Sequence, residues 1–151
     1  MTSAPDSAVV SWHAHVYFDP AATRPEAERL REAIAERFRV QLGRWHEVPV
    51  GPHSAAMYQV AFEVAVFAEL VPWLALHRQG LSVLVHPNTL APLADHMRHA
   101  LWLGPALPLR PEALPEQIEA SQEAPIVPNT EGLRSSAREP SGDATHPRRP
   151  A

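Results

Sequence analysis

There is no cysteine among the 151 residues. That excludes disulfides, thiolate metal sites, iron–sulfur clusters and a cysteine nucleophile. Glycine is scarce, at six, and too scattered to form a phosphate-binding loop or a G-x-G-x-x-G turn. G-x-S-x-G and H-E-x-x-H are also absent, which removes the serine-elbow hydrolases and the zincin proteases. No apolar run is long enough to span a bilayer, so no membrane association is expected. The N-terminal MTSAPDSAVV has no basic region leading into an apolar one, so no secretory signal is expected either. A cytoplasmic protein follows from these absences. A net charge of −4 gives no electrostatic footprint for nucleic acid. What the chain has in excess is histidine, nine in all. Many histidines beside no cysteine point to nitrogen and oxygen coordination, suited to iron, zinc, copper or manganese.

Composition changes after HALWLG (99–104). Residues 105–151 carry nine of the 17 prolines and no aromatic residue. Such a segment buries too little apolar surface to offset its ordering entropy. The expectation is a flexible N-terminus over 1–8, a working domain over 9–104 and a mostly disordered, dispensable Pro-rich tail over 105–151. RPEALPEQIEASQ is at best a marginal helix within that tail.

Periodicity organises the domain. SWHAHVYF (11–18) alternates, with Trp12, Ala14, Val16 and Phe18 on one face and His13, His15 and Tyr17 on the other. Thr23 and Glu26 have capping-box spacing, Pro25 suits a first turn, and Leu30, Ile34 and Phe38 follow as a helical stripe over 24–38. Residues 40–48 and 57–62 read as strands joined through PVGPH. Phe67, Leu70, Val71 and Leu74 form a second helical stripe, weakened by Pro72 and stopped by Gly80. Residues 81–87 are the fourth strand, and LADHMRH a short helix or turn.

The order β-α-β-β-α-β predicts an α+β, ferredoxin-like domain. Its four-stranded antiparallel sheet runs 4-1-3-2, with both helices on one face. The polar residues His13, His15, Gln59 and His86 then share the other face. His13 and His15 lie roughly 6.6 Å apart along their strand, and antiparallel pairing of strands one and four brings His86 beside His13. These three are the expected metal ligands. Asp95, His96 and His99 follow soon after and can fold over the same end. His46, Glu47 and His53 lie in the hairpin toward the opposite end, reaching the site only from a curled loop or a partner subunit. Blander readings suit other residues. His77 is a cation near a helix C-terminus, His146 has no evident role, and Trp45 and Trp102 are packing residues or pocket walls.

WHAHVYFDP, FRVQLGRWHEVPVGPH, MYQVAF, LVPWLALHRQGLSVLVHPNT and DHMRHALWLG, taken together from Trp12 to Gly104, resemble the DOPA 4,5-dioxygenase family. The resemblance implies extradiol cleavage of a catechol by O2 at a non-haem Fe(II), on a ferredoxin-like scaffold, as a homodimer. It marks His13, His15, His46, His53, His86, His96 and His99 as the histidines of interest. Zinc would substitute for iron in isolated protein. The common non-haem plan is two histidines and one carboxylate; Glu47 is the first candidate for the carboxylate, and a third histidine is equally plausible. His53, His96 and His99 are candidates to move protons, with Tyr17 and Gln59 orienting the catechol or the oxygen. His46 and Arg98 join Gln59 as substrate contacts. His77 and Met97–Arg98 depart from the family pattern, and an Arg at 98 could change which substituent is read. Two rivals use the same histidines: a non-catalytic metal- or ligand-binding dimer, and a cofactor-free monooxygenase.

Overall fold

The computed structural model describes residues 8–133. Five strands and three α-helices follow one another as β1 (Ser11–Phe18), α1 (Arg24–Arg37), β2 (Gln41–Leu42), β3 (Ala56–Phe62), α2 (Phe67–His77), β4 (Val83–Asn88), α3 (Pro92–Met97) and β5 (Leu101–Leu103). The sheet is antiparallel in the order β2-β3-β1-β4-β5. Its first four strands have the expected ferredoxin-like order. The fifth is an addition: the short LWL run pairs Leu101, Trp102 and Leu103 with Val85, Leu84 and Val83.

The alternation in β1 sorts as its sequence requires. Ala14, Val16 and Phe18 pack with Tyr58, Val60 and Phe62 of β3, and with Val83 and Val85 of β4. Ala27, Leu30 and Ile34 of α1 and Leu70, Val71 and Leu74 of α2 close this core. Burying each large apolar side chain contributes about 1.5–3 kcal/mol. Tyr58 belongs there because its hydroxyl donates to the Ala27 carbonyl at 3.0 Å. Pro72 lies inside α2 without ending it, and Gly80 (φ +76°) turns the chain toward β4.

Two local expectations need correction. The Thr23–Glu26 capping box does not form: Thr23 Oγ1 accepts from the Asp19 N–H at 2.7 Å, and Glu26 pairs with Arg29. The second strand is not continuous over 40–48. Gln41 pairs with Ala61 and Leu42 with Val60, whereas His46 pairs with Met57. The pair sums rise from 102 to 103, so one extra residue is inserted between them, as in a β-bulge. That shift turns Trp45 onto the core side, against Phe18 and Tyr58.

Pro87 is compatible with a central strand here. The Tyr17 N–H donates to the Ser82 carbonyl, which makes odd-numbered β1 residues the hydrogen-bonded ones. Pro87, opposite Trp12, therefore points its missing donor away from β1, toward the side where β5 pairing has ended at Val85. α3 packs at this open end of β4.

The second sheet face is covered rather than free. Tyr17, Met57 and Leu84 form a second apolar cluster with Trp102, Leu107 and Leu109. Ser54 Oγ donates to the Pro108 carbonyl at 2.6 Å, the Arg110 N–H donates to the Pro52 carbonyl at 2.8 Å, and His53 bridges Leu109. Farther along, the Val127 N–H donates to Gln41 Oε1, and Asn129 and Thr130 bond the backbone of Val40 and Leu42. Over 105–133 the composition argument is therefore overridden: few apolar anchors and many backbone hydrogen bonds hold a Pro-rich strap to the sheet. Two short 3-10 turns, Pro111–Ala113 and Ala120–Gln122, replace the marginal helix. Residues 134–151 and the N-terminal 1–7 lie outside the described residues, as does His146.

A chain ending at Leu133 is expected to keep its turnover. One ending at Gly104 or Pro108 is expected to lose at least about tenfold and to melt several degrees lower, because the staples on the His53 loop go with it. Equal activity and melting temperature for all three chains would show the strap to be dispensable after all.

Candidate metal centre

Five imidazoles converge on the covered face. His13 sits directly opposite His86 in the β1–β4 ladder, and their ring centroids are 5.0 Å apart. His15, two residues on, brings its Nε2 to 3.0 Å from His86 Nε2. α3 lays His96 over His86 at 3.8 Å between centroids. His53 arrives from the β2–β3 loop, whose bulge and strap contacts curl it back to 4.2 Å from the His15 ring. A curled loop within one chain is thus enough to reach the site. His15, His53 and His86 are all at most 4% exposed.

Burial sets the charge state. It lowers His13 and His53 to about 4, with the neighbouring His96 adding to the effect in both. His15 and His86 are held well below the ordinary value, chiefly by burial and then by the surrounding imidazoles. Burial also lowers His96, although its hydrogen bond to Pro92 and the Asp95 charge act the other way. At neutral pH the whole cluster is uncharged, the form in which histidine binds a metal.

The tautomers follow from backbone partners. His86 Nδ1–H donates to the Pro87 carbonyl at 2.9 Å, and His96 Nδ1–H to the Pro92 carbonyl at 2.7 Å. Each ring therefore offers an unprotonated Nε2, the orientation that carbonyl acceptors commonly give metal-binding histidines. His15 is then left with a choice. If its Nε2 carries the proton, it donates to His86 and leaves a bare Nδ1 that is buried without a partner. If Nδ1 carries the proton, two Nε2 lone pairs face each other at 3.0 Å, which only a cation between them would relieve. Two nitrogens each about 2.1 Å from an ion and at right angles would be about 3.0 Å apart. The donor set fits a divalent metal. Among the described residues, two trios have ligand atoms close enough to share one ion: His13, His15 and His86, and His15, His53 and His96. His15 belongs to both.

Other expected residues fall elsewhere. Glu47 joins neither trio: its carboxylate pairs with Arg24, which itself stacks over Trp45 at 4.3 Å. The bulge that carries Trp45 to the core side accompanies this turn of Glu47 away from the histidines. Asp95 is buried but occupied, accepting from the Thr89 N–H at 2.8 Å and its hydroxyl at 2.5 Å, so it fixes the entry to α3. His99 and Arg98 are exposed at the end of α3; Arg98 borders a separate depression beside Met97 and Glu116. His77 donates to the Trp73 carbonyl and stacks on that indole, a helix-end role as expected. His46, half-buried, lies close enough to influence His53 but joins neither trio.

Gln59 does reach the site. It lines a cavity of about 310 Å³ together with His13, His86, His96, Asn88 and Gln41. A further part of its wall, Gln122–Ile126, belongs to the strap and was not foreseen. Tyr17 is joined to His53 by a 2.7 Å hydrogen bond and stacks on Trp102. Burial raises the Tyr17 pKa, so its hydroxyl keeps its proton. Gln41 was legible in principle, since it sits opposite Ala61 on the histidine face; no periodicity announces Glu123.

Comparison with known proteins agrees with this geometry. Residues 12–113 match the model of the Dopa 4,5-dioxygenase family. A DOPA 4,5-dioxygenase of Amanita muscaria is 37% identical over 119 residues, covering 73% of this chain and 52% of the relative. An uncharacterized 21.2 kDa protein of Botryotinia fuckeliana is 40% identical over 90 residues, 54% of this chain and 48% of that one. The chain thus spans about half the length of these curated relatives. A crystal structure from Nostoc punctiforme, of a protein provisionally assigned as a dioxygenase, superposes with a TM-score of 0.71 at 50% identity, covering 74% of this chain and 96% of that one. The match takes in both strands of the histidine ladder, the curled loop and α3, and on that extent the chain belongs to the DOPA 4,5-dioxygenase family.

Proposed function

We propose that the protein is an extradiol dioxygenase, opening the ring of a catechol with O2 at an Fe(II) held by His13, His15 and His86. The observation that carries this reading is the cluster of five uncharged imidazoles, three of which line one small cavity, with His15 left a bare or confronted nitrogen unless a cation binds. An all-histidine set replaces the two-histidine, one-carboxylate plan, because Glu47 is engaged with Arg24. Zinc would fit the same nitrogens in isolated protein and leave it inactive. The cavity is at the small end of the usual range for ligand sites, about 300–1,000 Å³, and suits a single aromatic ring.

When bound, iron would supply Lewis acidity and electron transfer between catechol and O2. The chain supplies position and protons. Gln59 and Asn88 offer amide groups to the substrate. His96 is the base: its Nδ1–H is spent on Pro92, so Nε2 faces the cavity free to accept a catechol proton. The proton that His96 takes up is the one it can return, while the buried Tyr17 phenol holds the neighbouring His53 ring through their 2.7 Å bond. His99 and Arg98 have no part in this scheme.

Anaerobically purified protein is expected to bind iron, and the loaded protein to consume one O2 per catechol opened. Turnover without any metal would favour the cofactor-free monooxygenase, and metal without turnover the binding module. Light scattering tests the homodimer that the family resemblance implies. His96→Gln is expected to retain iron and catechol binding but lower kcat by about 10²–10⁴-fold, whereas His99→Gln should stay near the parent rate. Comparable losses from both would mean that the base has been misassigned.

A further inference from the structure

Among the described residues, the cavity wall carries one carboxylate beside its uncharged histidines. Glu123 sits in the strap segment Gln122–Ile126, beyond the residues that match the family. Among the described residues, no lysine or arginine joins it there. The segment is held from both sides: the Ile118 N–H donates to the Leu90 carbonyl at 2.9 Å, and the Val127 N–H to Gln41 Oε1 at 2.9 Å. Glu119 and Gln122 close a capping box on the short turn between them. The Glu123 carboxylate is half-buried and joins neither metal-capable trio, so it is too far from those nitrogens to complete a shared site. Asp95, on α3, adds negative potential at the same end.

We propose that Glu123 is a specificity determinant that selects catechols whose side chain ends in an ammonium group and bears no carboxylate. This rests on the ring-opening reading of the site. The physical case is one of compensation. A divalent ion beside neutral imidazoles repels a cationic substrate tail, and a fixed carboxylate near the cavity wall offsets that repulsion locally. A substrate carboxylate would meet Glu123 with no cation among the described lining residues to pair it. Partial burial strengthens such a pair relative to one in open water.

The test uses iron-loaded full chain and three catechols with the same ring: dopamine, neutral 4-ethylcatechol and 3,4-dihydroxyphenylacetate. Glu123→Gln is expected to raise KM for dopamine about tenfold while kcat, and both constants for 4-ethylcatechol, stay within about twofold. Glu123→Lys should move the preference toward the carboxylate. A uniform change across the three, or none, would overturn the proposal, since a proton-transfer or purely structural role acts on all substrates alike. Calorimetric binding of tyramine and 4-hydroxyphenylacetate to the metal-free chain gives a readout independent of turnover. The parent should favour tyramine and Glu123→Gln should lose that preference. A protein inert toward every catechol but keeping the tyramine preference would sink the ring-opening reading and uphold the role of Glu123. An inert protein without the preference would sink both.

Discussion

Replacing His15 by Leu is expected to abolish iron binding and to lower catechol turnover by at least about 10³-fold. His15 belongs to both metal-capable trios, so this loss is expected whichever of them holds the ion. His13→Ala and His86→Ala should also lose the metal, while Glu47→Ala should keep it within about twofold. Loss of fold is separable from loss of function. His15 is 3% exposed, and in the metal-free chain its Nδ1 has no partner; an unsatisfied buried polar atom costs about 1–3 kcal/mol. A leucine of similar size removes that cost but takes the partner from His86 Nε2, so the metal-free variant should melt near the parent temperature. Full iron occupancy in His15→Leu protein would show the ligand set to be misassigned.

The legible part of this site lies on regular strands. Period-two alternation placed His13 and His15 on one face, and antiparallel topology placed His86 opposite His13. Both inferences need only strand geometry, which local sequence specifies well. Glu47 failed for a different reason. Its position follows a one-residue bulge between Leu42 and His46, which reverses the facing of side chains there, and the single Gly43 in GRWHE permits such an insertion without fixing that it occurs. His53 was ambiguous because a loop's path is set by what it packs against, and its anchors, Pro108 to Arg110, lie in a segment whose composition argued against any packing. That argument counted apolar side chains. It missed that Leu107 and Leu109, helped by backbone hydrogen bonds to Pro52 and from Ser54, suffice when the sheet already offers Tyr17, Met57 and Leu84 as a surface. The same blind spot hid Glu123. His99 failed on phase: on a helix ending at Met97 it falls beyond the last turn and points outward, whereas His96 remains over His86.

Acid should unfold the metal-free protein unusually early. The unfolded histidines take up protons near pH 6.5, whereas His13 and His53 resist until about pH 4 in the folded chain and His15 and His86 until well below the ordinary value. Between those limits the unfolded state binds more protons than the native one, so stability rises with pH and is lost as pH falls. For His53, 4% exposed, a displacement from 6.5 to about 4 corresponds to up to about 3 kcal/mol across that window. With neighbours displaced the same way, acidification from pH 7 to 4.5 should remove several kcal/mol, a large share of a typical domain stability of about 5–15 kcal/mol. Urea melts at the two pH values measure this. Iron or zinc would compete with protons for the same nitrogens and, where it binds the folded cluster alone, would add about 2.7 kcal/mol at a free concentration 100 times its Kd. Added metal should therefore move the acid midpoint downward, and His15→Leu should flatten the metal-free pH dependence and abolish the shift. Equal stability at pH 7 and 4.5 would overturn the reading that burial holds these imidazoles uncharged.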